Sequence, residues 1–135
     1  ENSVSIHVRR GDYVQLADFH PPCSAEYYKA AIDMWDGEGI KPHFFIFSDD
    51  PQYCRQLFWG RTDVTIVQGL SAEEDLFLMS KCNHNIIANS SFSWWGAWLN
   101  PLANKMVVAP TKWFGPAYSH NTDDLYPCDW ILIDN

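Results

Sequence analysis

Val4-Ser5-Ile6-His7-Val8-Arg9-Arg10-Gly11-Asp12-Tyr13 is the stretch from which the fold of this chain can be read. Val4, Ile6 and Val8 alternate with Ser5 and His7, the period of a strand with an apolar face in the core. The strand runs into two arginines, a glycine and a carboxylate. The chain has 9 Lys plus Arg against 17 Asp plus Glu, a formal net charge of -8, so two adjacent cations at a strand end stand out. In doubly wound folds ligands lie at the carboxyl ends of strands. An arginine pair there, beside a glycine that permits close approach, has the chemistry of a clamp for a small anion such as phosphate.

Strands and helices alternate outward from this stretch. After a loop from Asp18 to Pro22, Ser24 caps a helix beginning near Ala25. Tyr27, Tyr28, Ala31, Ile32 and Trp35 form its apolar face, and Gly37 and Gly39 end it. Residues 43–47, HFFIF, are almost wholly apolar, as in a parallel strand covered on both faces. Ser48-Asp49-Asp50-Pro51 turns the chain into a helix over residues 52–58. Val64 to Val67 is a third strand. Ser71 and Glu74 make a capping box for the helix carrying Leu76, Phe77, Met79 and Ser80 toward Cys82. Asn85 to Ala88 is a fourth strand. Asn89 to Ser93 reads as a polar turn, Trp94 to Leu99 as a helix, Lys105 to Ala109 as a fifth strand, and Trp130 to Ile133 as a last apolar run. The series predicts an α/β fold, a Rossmann-like parallel sheet with helices on both faces.

The length of 135 residues suits one domain. A motif-bearing strand so near residue 1 leads to the expectation that residues 1–135 are a piece of a longer, two-domain enzyme. The acidic balance argues against nucleic acid as a partner. No apolar run approaches the roughly eighteen residues of a membrane span, and no signal peptide is evident. Cys23, Cys54, Cys82 and Cys128 form no CxxC, and free thiols are the simplest reading, with two disulfides as the alternative. The sequon Asn89-Ser90-Ser91 falls in a turn expected to be functional and reads as a chance match.

Four polar clusters follow the strands: His7/Arg9/Arg10/Asp12, Ser48/Asp49/Asp50, Gln68/Gly69 and Asn89/Ser90/Ser91/Ser93. A parallel sheet gathers them on one edge, the form of a nucleotide site. Arg9 and Arg10 point to opposite faces. Arg10, nearest the glycine, is the expected phosphate contact, and Arg9 orients a neighbour or pairs with a carboxylate. His7 is either a contact to a base edge or a satisfied core histidine. The Asn89–Ser93 turn precedes a helix whose first amides favour an anion, so it is a second phosphate candidate, with simple N-capping as the alternative. Asp49 and Asp50 are candidates for a ribose or a metal. No other residues have metal-ligand spacing, and no metal is expected to be required. The Trp94-Trp95-Gly96-Ala97-Trp98 run reads as core beneath the site. Neither GxGxxG nor GxxxxGK[ST] occurs.

HVRRGDY at 7–13, FSDD at 47–50 and SKCNHNIIANSSFSWWGAWLN at 80–100 together resemble the GDP-fucose-dependent alpha-1,2-fucosyltransferases, glycosyltransferase family 11. The resemblance runs from residue 7 to about residue 115. HxRRxD also marks alpha-1,6 and protein O-fucosyltransferases, and NSSFSWWGAWL narrows it to the alpha-1,2 group. The resemblance implies the C-terminal donor half of a two-domain GT-B enzyme that transfers L-fucose, with inversion, from GDP-β-L-fucose to the 2-hydroxyl of a galactoside, without a metal or other cofactor. It places His7 near guanine and Asn89, Ser90 and Ser91 near the phosphates, and suggests His84 as a second contact to the base. GDP-fucose, a galactose-containing glycan acceptor and an N-terminal domain are the implied partners. A bacterial version is expected in the cytoplasm, with peripheral membrane association of the full enzyme, and a eukaryotic one in the Golgi lumen.

Inverting displacement needs stabilisation of the GDP leaving group, in-line approach of the acceptor hydroxyl, and a base. Arg10 is the expected stabiliser. Asp12 is the motif carboxylate available as base, with pairing to an arginine as its alternative role. A non-catalytic Rossmann-like module for a nucleotide sugar or another phosphorylated ligand is the competing reading.

Overall fold

The computed structural model describes residues 2–16, 21–36, 41–115 and 125–135, without the side chains of Asp12 and Val14. The strands are β1 (Ser3–Val8), β2 (His43–Ser48), β3 (Val64–Val67), β4 (His84–Ile86), β5 (Val107–Pro110) and β6 (Ile131–Ile133). The helices are α1 (Ala25–Asp36), α2 (Pro51–Leu57), α3 (Ala72–Lys81) and α4 (Ser91–Trp98). All strand pairings are parallel, in the order β3-β2-β1-β4-β5-β6. The expected Rossmann-like architecture is therefore present.

The pleat of β1 assigns its residues to two layers. Val4, Ile6 and Val8 join Phe44, Ile46, Ile86, Ala88 and Val108 in a core with α1 and α2. Tyr27, Tyr28, Ala31, Ile32 and Trp35 of α1 are all buried there, as their helical spacing predicts. The opposite face carries Ile87, Val107 and Ala109 against Ala97 of α4. Ser24 Oγ accepts the Tyr27 amide, and Asp50 Oδ1 accepts the Tyr53 amide at the start of α2. Ser71 and Glu74 complete both halves of the capping box on α3. Gly37, Gly39 and residues 18–20 of the expected loop lie outside the described residues.

Some boundaries differ from the expectation. Helix α4 begins at Ser91 rather than Trp94, because Ser90 is its N-cap and accepts the Phe92 amide at 3.2 Å. Residues 91–93 are thus its first turn. β4 begins at His84, although ladder pairing continues through the Ile87 amide to the Val108 carbonyl at 2.9 Å. β5 begins at Val107, and the last apolar run supplies β6, with Val108 opposite Ile131. The tryptophan run is not simply core. Gly96 and Ala97 are buried, but Trp95 and Trp98 are 49% and 50% exposed. At Gly96 helices α3 and α4 pack closely, since a Cβ there would lie 3.2 Å from Met79 Cβ.

A buried polar network ties α3, β4 and the end of α4 together. Asn85 Nδ2 donates to Ser5 Oγ and the Met79 carbonyl. Asn100 Nδ2 donates to Asn85 Oδ1 and the Cys82 carbonyl. Cys23, Cys54, Cys82 and Cys128 are free thiols, the first three buried.

Candidate active site at the sheet reversal

The chain winds from β1 outward to β2 and β3, then returns to the other side of β1 with β4. The strand order therefore reverses between β1 and β4, where a doubly wound sheet opens a crevice at its carboxyl edge. On the α3/α4 face of this edge lies a cleft of about 280 Å³ lined by His7, Arg9, Phe47, Ser48, Asp49, Ala72, Asp75 and Phe92.

His7 is 6% exposed, its ring tilted against Phe92 with centroids 5.5 Å apart. Its Nδ1 has no hydrogen-bond partner among the described residues. Burial pushes its pKa down to about 4, with a smaller opposing effect of Asp49, so the ring is neutral at pH 7. A buried imidazole with one uncommitted nitrogen suits a ligand better than a core contact.

The two arginines separate as strand geometry demands. Arg9 turns into the His7 cleft, its guanidinium carbon 4.9 Å from the Tyr13 ring centroid and its Nε 3.6 Å from Asp49 Oδ2. Arg10 turns to the α2 side, stacked at 3.7 Å on the Tyr53 ring with its Nε 3.4 Å from Asp50 Oδ2. The cleft thus receives Arg9, whereas the expectation chose Arg10; position next to Gly11 does not decide which face a side chain takes. The side chain of Asp12 lies outside the described residues, which leaves its expected role as base open.

The structure places the other candidates as follows. His84 opens β4, at the amino edge of a sheet whose cleft is at the carboxyl edge. Its Nδ1 accepts the Met106 amide at 2.9 Å, and its ring lies 5.6 Å from that of Trp35. It joins β4 to β5 and cannot reach the cleft. Asn89 is buried, its amide donating to the Pro21 and Trp113 carbonyls at 2.9 and 3.0 Å. Its side chain clasps two loops instead of facing a phosphate. Ser90 caps α4, while Ser91 is exposed in the first turn. Asp49 does line the cleft, but its Oδ1 already accepts the Arg10 amide at 2.9 Å.

Asp75 is the cleft residue that sequence reasoning missed. It sits in the first turn of α3, next to the capping-box Glu74, where an acid is ordinary helix chemistry. Only the packing of α3 against the sheet shows that it shares a cavity with His7. Desolvation, then the neighbouring Glu74, raises its pKa. Among the described residues no group of His, Cys, Asp or Glu gathers as a metal-holding set, and no helix is long and apolar enough to cross a membrane.

The model of glycosyl transferase family 11 matches residues 1–134. The chain belongs to this family. Its relatives include an alpha-1,2-colitosyltransferase of Escherichia coli, 40% identical over 98% of the chain and 48% of the relative. The O-antigen biosynthesis glycosyltransferase WbnK of Escherichia coli is 39% identical over 98% of the chain and 45% of the relative. Galactoside alpha-(1,2)-fucosyltransferase 1 of Bos taurus is 31% identical over 71% and 29%. The chain thus spans a little under half the length of its bacterial family relatives. Its fold is similar to that of the fucosyltransferase NodZ from Bradyrhizobium, with a TM-score of 0.54 at 21% identity over 74% of the chain and 36% of NodZ.

Proposed function

We propose that this family 11 domain is the donor half of a two-domain enzyme, binding GDP-fucose for inverting transfer of L-fucose to the 2-hydroxyl of a galactoside. The observation that carries the reading is the cleft at the sheet reversal, where a neutral imidazole, a guanidinium and a carboxylate converge. Each group suits one part of the donor. Asp75 accepts from the N1–H and amino group of guanine, a pattern that adenine and uracil do not offer. His7 adds a neutral nitrogen beside the base. Arg9 neutralises the diphosphate as it becomes the leaving group, and the amino end of α4 adds its dipole. The NodZ protein that shares the fold has been crystallised with GDP, and an alpha-1,2-linkage is named for several family relatives.

Calorimetric titration with GDP, ADP and UDP, in the presence of EDTA, tests donor recognition. Selective, EDTA-resistant GDP binding is expected. Absence of GDP binding by the folded protein overturns the donor reading. Release of GDP from GDP-fucose by the full two-domain protein only with a β-galactoside acceptor, with the product linkage read by NMR, tests the transfer itself; GDP binding without transfer by that full protein supports the non-catalytic module instead.

A further inference from the structure

We propose that Asp49 is a positioning residue, a carboxylate that fixes the bend after β1 and thereby aims Arg9 into the cleft; the proposal rests on the donor reading above. Asp49 follows β2, whose Ser48 is in register with Val8 at the end of β1. Ser48 Oγ donates to the Val8 carbonyl at 2.6 Å and accepts the Asp50 amide at 2.9 Å, which holds the two strand ends side by side. From that place Asp49 meets the turn that follows β1 at two points. Oδ1 accepts the Arg10 backbone amide, and Oδ2 lies 3.6 Å from Arg9 Nε. Gly11 completes the fit, since a Cβ there would clash with Asp49 Oδ2. A methyl at this position would push the carboxylate away from the loop it holds.

Tyr13 holds the other side. Its ring lies beneath the Arg9 guanidinium, and its hydroxyl donates to the Asn89 carbonyl at 3.1 Å, bridging the β1 and β4 ends of the crevice. Arg9 is thus set between a carboxylate and an aromatic face before any ligand arrives. A long side chain held in place loses less freedom on binding an anion than a mobile one.

The test is a mutant cycle read by GDP affinity and by exchange of the Arg10 amide. Asp49→Ala is expected to weaken GDP binding by about ten- to hundredfold, and Asp49→Asn by less, because the amide oxygen still accepts from the Arg10 N–H. Gly11→Ala should behave like Asp49→Ala, since its new methyl displaces only the end of a side chain. Adding Asp49→Ala to Arg9→Ala should cost no more than about twofold further, as expected for residues acting through one another. Preference for GDP over its 2′,3′-dideoxy analogue should survive in Asp49→Ala. Additive losses, or loss of that preference, overturn the proposal in favour of direct ribose contact. If the wild-type protein binds no GDP, the donor reading fails, and the Arg10 amide alone decides: faster exchange in Asp49→Ala keeps the clamp, and unchanged exchange removes it.

Discussion

Arg10 stacks on Tyr53 with its guanidinium carbon 3.7 Å from the ring centroid, on the opposite side of the sheet from the cleft. The two motif arginines therefore make separable predictions. Arg9→Ala should lower GDP affinity by roughly a hundredfold or more, the scale of losing a desolvated charge partner. Arg10→Ala should leave GDP affinity within a few fold and instead loosen the α2 side, lowering the thermal midpoint. Calorimetry and thermal unfolding of both variants check this. A large affinity loss in Arg10→Ala with Arg9→Ala unaffected would restore the choice made from sequence.

Asp75 should set base selectivity. The wild-type protein is expected to prefer GDP to IDP, which lacks the guanine amino group. Asp75→Asn should narrow that preference by about tenfold or more, since a site built to accept a donor discriminates strongly against an analogue without it. Paired titrations with the two nucleotides measure the ratio.

His7 makes stability depend on pH. Its folded pKa of about 4 lies below the ordinary value of 6.5. Between these values the unfolded chain binds the proton and the folded one does not, so acid favours unfolding. The neutral site is fully compatible with the fold above pH 6.5, and stability is lost as pH falls toward 4, by roughly 3 kcal/mol at most. Urea unfolding between pH 4 and 8 should show this slope, and His7→Gln should remove that share of it.

The Asn85–Asn100 pair predicts a stability effect far from the cleft. Asn100→Ala leaves Asn85 Oδ1 and the Cys82 carbonyl without a buried donor. A loss of about 1–3 kcal/mol is expected for each group left unsatisfied, read as a lower urea midpoint with GDP selectivity unchanged.

Local patterns made much of the fold legible. The five buried positions of α1 follow from helical spacing, and the capping box of α3 is written in Ser71 and Glu74 alone. The cleft is harder because its members meet through long-range packing. Asp75 looks like any helix-opening acid until α3 is laid against β1. His84 sits in a suggestive motif, yet strand direction puts the start of β4 at the wrong edge. Asn89 has the chemistry for a phosphate but is committed to Pro21 and Trp113, contacts separated from it by 68 and 24 residues. Trp95 and Trp98 have a core composition and a half-exposed position, because α4 turns its glycine and alanine inward.

The central place of β1 has a consequence for the order in which the molecule can assemble. Ser3 and Ser5 meet Asn83 and Asn85 at a separation of 80 positions, so β1 gains its second neighbour only after α1, β2, α2, β3 and α3 have all been made. Such distant pairing is slow to close. Until β4 arrives, the crevice has one wall, and its imidazole and guanidinium have no carboxyl-edge partner across the reversal. A nascent chain stopped before β4 should therefore carry the arginine motif in full and hold no nucleotide.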